Sequence, residues 1–328
     1  MLNSEKERVL KKIAKQWFLL SLAAATWCGY AWPEVGKFLI SHGVLTIGLM
    51  LSFLLTGLTL ESRVVVSAWR SLRGVTAAVI SSLVVYPVAA WIFSSQFLSP
   101  ELVVGFCILA TAPVTISSGT ILTAFARGNV SLSVFICLAT NFLAVFTIPF
   151  VLQMLLGADA GVDLPVFSIL GGLALKVLLP LFVGQLIKPA LGPLISRCLP
   201  AISVFQSSLI LLMVMTAVAG SADRLDDMAE LLVILTAAVA VLHIFMVLFN
   251  YVLARVIRLD YQSLVAFTIH APQKTLAVSY LVWAGYFAAD FPGAFVPAII
   301  CHLLQMITGT LTAQHFRTRG STQKGARE

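Results

Sequence analysis

Apolar residues fill the chain in runs of about 20, the length an α-helix needs to cross a hydrocarbon core, with short polar connections between them. Ten such runs are expected as membrane spans, over roughly 17–33, 39–60, 72–94, 101–126, 130–156, 165–190, 202–221, 230–256, 261–287 and 291–315. Two of them are interrupted in the middle. In the run 101–126, Pro113 removes a backbone N–H, and Thr115, Ser117, Ser118, Gly119 and Thr120 follow with hydroxyls and an unshielded backbone. In the run 261–287, the stretch His270-Ala271-Pro272-Gln273-Lys274-Thr275 repeats the device. Lipid offers an unpaired backbone group no water, so a mid-span break has to face protein or a wet cavity.

The spans divide five and five at the connection 157–164, which makes the interrupted ones the fourth of each half. An odd number of spans per half inverts the second half relative to the first, and paired interrupted helices point to the binding site of an inverted-repeat transporter. The expected fold is therefore an all-α polytopic membrane protein with a 5+5 inverted repeat. Residues 1–160 form the first repeat, with its break around 112–120, and residues 161–316 the second, with its break around 270–276. Residues 317–328 are left as a cytoplasmic tail.

Charge sharpens this picture. Only 11% of the 328 residues are charged, against about 25% in a soluble domain, and the mean hydropathy is +0.99. Lys and Arg concentrate in the N-terminal segment, in alternate connections and at the C-terminus, with Lys37 and Arg224 on the opposite side and Lys176 and Lys274 within spans. Cytoplasmic loops carry the excess of Lys and Arg, so both termini are expected in the cytoplasm. The compact loops favour a bacterial inner membrane, and nucleic acid is not an expected partner. The basic N-terminus could pass for a signal peptide; the many later spans favour an uncleaved first helix. The acids all fall in connections, in termini or at the outer edge of a span (Glu101, Glu230), none in a span interior. The five cysteines are odd in number and four lie in apolar runs, which reads as packing rather than a disulfide framework or a zinc site.

Thr115, Ser117, Ser118, Thr120, Ser133, Thr140 and Asn141 can offer neutral oxygens to a hard cation such as sodium. Ser133, Cys137 and Asn141 share one face of the fifth span at i, i+4, i+8 spacing. The competing use of such hydroxyls is to bond their own i−4 carbonyls and soften the break. Lys274 falls at the centre of its span, where a charged lysine costs about 2.5–3.5 kcal/mol on insertion scales. Three roles compete for it beside a purely structural one: surrogate for a bound cation, binder of an anionic substrate group, or proton carrier. His270 and Gln273 are its expected neighbours. The starts of the second half-helices, near Ser118-Gly119 and Lys274-Thr275, add partial positive charge. With no acid in any span interior, the site favours an anion.

Several stretches carry a family resemblance. Ala126-Arg127-Gly128-Asn129-Val130-Ser131-Leu132-Ser133-Val134 resembles the ARGNVALSV junction between the fourth and fifth helices of the bile acid:sodium symporter superfamily. Gly57-Leu58-Thr59-Leu60 is similar to its GLTL motif, and Lys176-Val177-Leu178-Leu179-Pro180 with Gly184 to its sixth-helix pattern. Gln273-Lys274-Thr275-Leu276-Ala277 resembles the GNQKT-like motif of the divergent SBF-like branch. The resemblance implies a core domain, in which helices four and nine cross, beside a panel domain, and sodium-driven transport of an organic anion. It also implies departures at the ion sites. The Ser-Asn pair of the fourth helix becomes Gly119 and Thr120, and the fifth-helix Ser and Thr become Ser133 and Cys137. A glutamine before the third-helix proline becomes Ser82, the ninth-helix glutamate falls at about Thr268, and its neighbouring Gln-Asn pair falls at Pro272-Gln273.

The expected function is secondary transport of a small organic anion, by sodium symport with altered sodium sites and without an organic cofactor. A proton- or cation-exchanging carrier with Lys274 titrating is the alternative, and a regulatory membrane subunit without its own transport is another. No HExxH, no paired intramembrane acids and no Ser–His pair at suggestive spacing support an enzyme. The expected substrate site is Thr115, Ser117, Ser118, Gly119, His270, Gln273, Lys274 and Thr275. The expected ion site is Thr120, Ser133, Cys137, Asn141, Ser82 and Thr268.

Overall fold

The computed structural model describes residues 17–59, 72–115, 118–159, 164–221 and 229–325. Among them all regular structure is helical, and six helices are long and apolar enough to cross a membrane, or seven if one bent pair counts as a single span. Their outward faces carry large apolar side chains, such as Ile47, Phe167, Leu186 and Val233. Such faces suit lipid and would be costly in water.

The bent pair is α1b (Pro33–Ser41) and α2 (Val44–Thr59), following α1 (Trp17–Ala31) and meeting at 63°. The sequence pattern suggested one span over 39–60. A left-handed Gly43, φ 63°, instead turns the chain between the two helices. The third helix, α3 (Leu72–Ser95), contains a π-helical turn over Ser81–Val85 just before Pro87. Next come α4 (Pro100–Thr111), α5 (Ser118–Phe125) and the long α6 (Val130–Asp159). After α7 (Val166–Leu173) and a second π-turn, α8 runs without interruption from Leu179 to Ser221. A connection was expected around 191–201; the backbone stays helical there and joins two span-length segments, Val166–Leu191 and Arg197–Gly220. The chain ends with α9 (Ala229–Val256), α10 (Tyr261–His270), α11 (Leu276–Tyr286) and α12 (Val296–Gly325). The last helix thus continues into the segment expected as a tail.

Two groups of helices result. α8 packs along α1, α1b and α2, while α3 to α6 and α9 to α12 pack mainly on one another. Within the first group, Gly57 of α2 and Gly184 of α8 lie so close that a Cβ on either would overlap the other helix's backbone. Gln185 Nε2 donates to Gly57 O there, 2.7 Å away. Small residues that let backbones approach are a main device of helix association in lipid, and they account for the glycines in both motifs.

The ARGN junction ties the second group together. Arg127 adopts a left-handed φ of 58° that ends α5. Asn129 Oδ1 caps α6 by accepting from Leu132 N at 3.0 Å. The Asn129 amide also reaches Ser263 Oγ (3.1 Å), and its backbone N–H donates to Gln262 O (2.9 Å), at the start of α10. A four-residue junction thereby anchors the fifth expected span to the ninth.

Candidate functional site

The two backbone breaks meet. α4 ends at Thr111 and α5 begins at Ser118, while α10 ends at His270 and α11 begins at Leu276. Thr275 N–H donates across to Pro113 O at 2.9 Å, so each break supplies part of the other's missing helical bonding. Ser117, expected in this site, lies outside the described residues.

On one side of the meeting point lies Lys274, 1% exposed. Its Nζ donates to Ser82 O (2.6 Å), Ser82 Oγ (3.0 Å) and Ala112 O (2.8 Å), and it lies 4.6 Å from the centre of the Tyr86 ring. Both carbonyls are free for a reason visible in the backbone. In the π-turn Tyr86 N bonds Ser81 O, five residues back. The next donor in that register would be Pro87, which has no N–H, so Ser82 O is left over. Ala112 lies beyond the last turn of α4, with extended backbone at ψ 148°. The backbone of Lys274 is held as well: its N–H donates to Gln305 Oε1 (2.7 Å), and Gln305 Nε2 donates back to Lys274 O (2.8 Å). The same amide nitrogen lies 3.2 Å from His302 Nδ1.

The other side is built from neutral groups. Gln273 Oε1 accepts from Thr115 Oγ1 (2.8 Å) and Ser118 Oγ (3.0 Å), and Ser118 Oγ is also 2.8 Å from Thr115 Oγ1. Gln273 Nε2 is buried without a partner among the described residues. His270, fully buried, places Nε2 2.7 Å from Thr115 O and Nδ1 2.6 Å from Ser133 Oγ. A carbonyl can only accept, so Nε2 carries the hydrogen in this arrangement and Nδ1 accepts from Ser133 in the neutral ring. Thr120 Oγ1 lies 3.5 Å beyond Ser133 Oγ. The imidazole sits against Gly119, where any Cβ would overlap the ring.

The remaining expected ion ligands divide. Ser82 is at the Lys274 ammonium. Asn141 Nδ2 donates to Val114 O (3.1 Å) and Cys137 O (2.9 Å), beside Cys137 Sγ (3.6 Å), which brings α6 to the first break. Asn141 Oδ1 and Thr268 Oγ1 are buried and have no partner among the described residues. Thr140 bonds Ile136 O and Cys137 O in its own helix, the local use of a hydroxyl.

A cavity of about 390 Å³ opens beside the neutral side, between the two helix groups. From the breaks it is lined by Thr115, Ser118, Thr275, Leu276 and Ala277, and from α12 by His302 and Met306. Across from them lie Ser52, Thr56 and Thr59 of α2 with Gln206 and Ser207 of α8. Gln206 Nε2 donates to Thr56 Oγ1 at 3.1 Å. These α2 and α8 residues were missed from sequence, although Ser52, Thr56 and Thr59 follow the i, i+4, i+7 spacing of one helix face. Lys274 does not line this cavity. The starts of α5 and α11 do, and Thr275 leaves the first N–H groups of α11 without a side-chain cap. Two helix N-termini therefore direct partial positive charge into a cavity that has no acid among the described residues of its wall.

The chain is similar to known proteins along most of its length. The family model of the SBF-like CPA transporter family matches residues 16–318. A mouse protein, sodium/bile acid cotransporter 7, is 26% identical over 340 residues, covering 98% of this chain and 98% of its own. An uncharacterized protein of Pseudomonas aeruginosa is 26% identical over 310 residues, covering 92% and 93%. The probable sodium/metabolite cotransporter BASS4, chloroplastic, of Arabidopsis thaliana is 30% identical over 170 residues, which is 52% of this chain and 39% of that one.

Proposed function

Because this chain belongs to the SBF-like CPA transporter family, we propose that it carries a small organic anion across its membrane by secondary active, alternating-access transport. The observation that carries the anion is the cavity onto which both half-helix starts open. Its volume of about 390 Å³ lies toward the lower end of ligand pockets, about 300–1,000 Å³, which suits a small solute. Hydroxyls, an amide and His302 offer directional hydrogen bonds, while the helix dipoles favour negative charge.

In this reading the chain has ten spans in a 5+5 inverted repeat. The pairs α4–α5 and α10–α11 are its fourth and ninth spans, interrupted where the anion binds. α1, α1b, α2, α7 and α8 act as the panel, the remaining helices as the core, and rocking of one against the other exposes the cavity to alternate sides. Cation coupling accords with the sodium cotransporters among the relatives. Both termini lie in the cytoplasm, and a bacterial inner membrane is the setting.

The test starts with a thermal-shift screen of purified protein against carboxylates and sulfonates, from three-carbon acids to bile acids. Hits are then followed as uptake into proteoliposomes under sodium, potassium or pH gradients. An anion whose Tm shift and uptake both vanish in Ser118→Leu, which fills the cavity beside α5, supports the proposal. Anions that shift Tm equally in that variant and are never taken up would sink it. A second reading, proton or cation exchange through Lys274, draws on a buried lysine whose partners are all neutral. It requires uptake driven by a pH gradient and abolished in Lys274→Met.

A further inference from the structure

Two independent backbone irregularities converge on one point. The π-turn before Pro87 aims the Ser82 carbonyl inward, and the end of α4 aims the Ala112 carbonyl at the same place. The Ser82 hydroxyl and the electron-rich face of Tyr86 complete the surroundings. A lysine needing only to be buried could curl toward any helix end. Here the oxygens belong to Ser82 and Ala112 on two successive helices, both far from Lys274 in sequence and each next to its own proline-disrupted turn, around a space that the side-chain nitrogen fills. In the absence of the lysine the two carbonyls, which can only accept, would have at most the Ser82 hydroxyl hydrogen between them.

We propose that this cluster is a monovalent-cation site whose permanent occupant is the Lys274 ammonium, and that removing the side chain turns it into a binding site for free sodium or potassium. A tethered cation cannot dissociate. The wild-type protein therefore takes up no diffusible ion at this position, and any cation coupling has to run through other groups, such as Asn141 Oδ1 or Thr268 Oγ1, buried without a partner among the described residues. The proposal concerns the cation complement of the protein and holds whatever anion is carried.

The experiment compares the Tm of full-length purified wild type, Lys274→Ala and Lys274→Met in sodium, potassium and choline chloride at equal ionic strength, with no substrate present. A ligand that binds only the folded state raises Tm by mass action. Lys274→Ala should melt several degrees below wild type in choline and recover much of that loss in sodium or potassium. Lys274→Met, whose chain still fills the space, should stay low in all three salts. Adding Ser82→Ala to Lys274→Ala should weaken the salt response. A folded Lys274→Ala that melts identically in the three salts overturns the proposal. So does a salt response that Lys274→Met shares in full, because the cation is then bound elsewhere. Lys274→Ala that cannot be recovered in sodium or potassium buffer, while Lys274→Met folds, also overturns it, since bulk and not charge would then be what the cluster needs. Anion uptake by wild type is measured separately, so failure of the transport reading cannot be mistaken for failure here.

Discussion

Gln273 and Lys274 are neighbours in one break, yet the regions they enter differ in nearly every physical respect. Lys274 reaches a closed cluster in which two acceptor-only carbonyls, a hydroxyl and an aromatic face surround one nitrogen. Gln273 reaches an open one, where two hydroxyls share its oxygen, its amide nitrogen has no partner among the described residues, and a cavity begins at Thr115 and Ser118. Charge is kept where the protein completes its own bonding. Bonding is left incomplete, among neutral groups, beside the cavity proposed above to receive the solute. A lysine exposed in the cavity would hold an anion tightly and release it slowly. In the function proposed above, helix dipoles, each equivalent to about half a charge, attract the anion more gently, which suits a carrier.

The largest effect that tests this division is on the closed side. Lys274→Met should lower stability by about 3 kcal/mol or more, because Ser82 O and Ala112 O lose their donor, and each buried unsatisfied acceptor costs about 1–3 kcal/mol. Denaturation of the purified variant in mixed micelles reads this directly, and an unchanged midpoint would mean the carbonyls have another donor. Next in size is Gly119→Ala. The added methyl meets the His270 ring, and overpacking of a tight contact costs about 1–3 kcal/mol. Combining it with His270→Ala should be less than additive, since one change makes room for the other. Additive losses would show that the ring can swing away without cost.

Local pattern made the breaks legible and distance hid their wiring. Pro113 and Pro272 amid hydroxyls declare an interruption, and Lys274 declares itself because a cation in mid-span must be answered. What answers it cannot be read along the chain. Ser82 and Ala112 are 192 and 162 residues from Lys274, and the Ser82 carbonyl is free only because a π-turn shifts the bonding register onto Pro87. Gln305, which no local pattern ties to the break, clamps the Lys274 backbone through both of its amide atoms. Helix ends were misjudged for a related reason. The connection expected near 191–201 contains prolines and charge, yet the backbone passes through it as helix. At His42-Gly43 a single left-handed glycine outweighs an apolar run that looked continuous.

The smallest effects should separate the two regions most cleanly, by where they appear. Ser133 and Ser118 are each one hydroxyl in this network. Ser133→Ala removes the buried donor to His270 Nδ1, so stability should fall by about 1–2 kcal/mol. Anion affinity, measured by thermal shift against a hit, should change little. Ser118→Ala removes a hydroxyl at the cavity wall, where Thr115 Oγ1 still satisfies the Gln273 oxygen. Its stability should stay within about 0.5 kcal/mol of wild type. Its anion affinity should fall roughly fivefold, the equivalent of one hydrogen bond of about 1 kcal/mol. The reverse pattern, with Ser133 controlling affinity and Ser118 controlling stability, would place the solute at the His270 side and make the cavity between the helix groups a packing gap. The two serines lie on the same network within a few bonds of each other, so a split between their readouts follows only if one side of the crossing is scaffold and the other receives the solute.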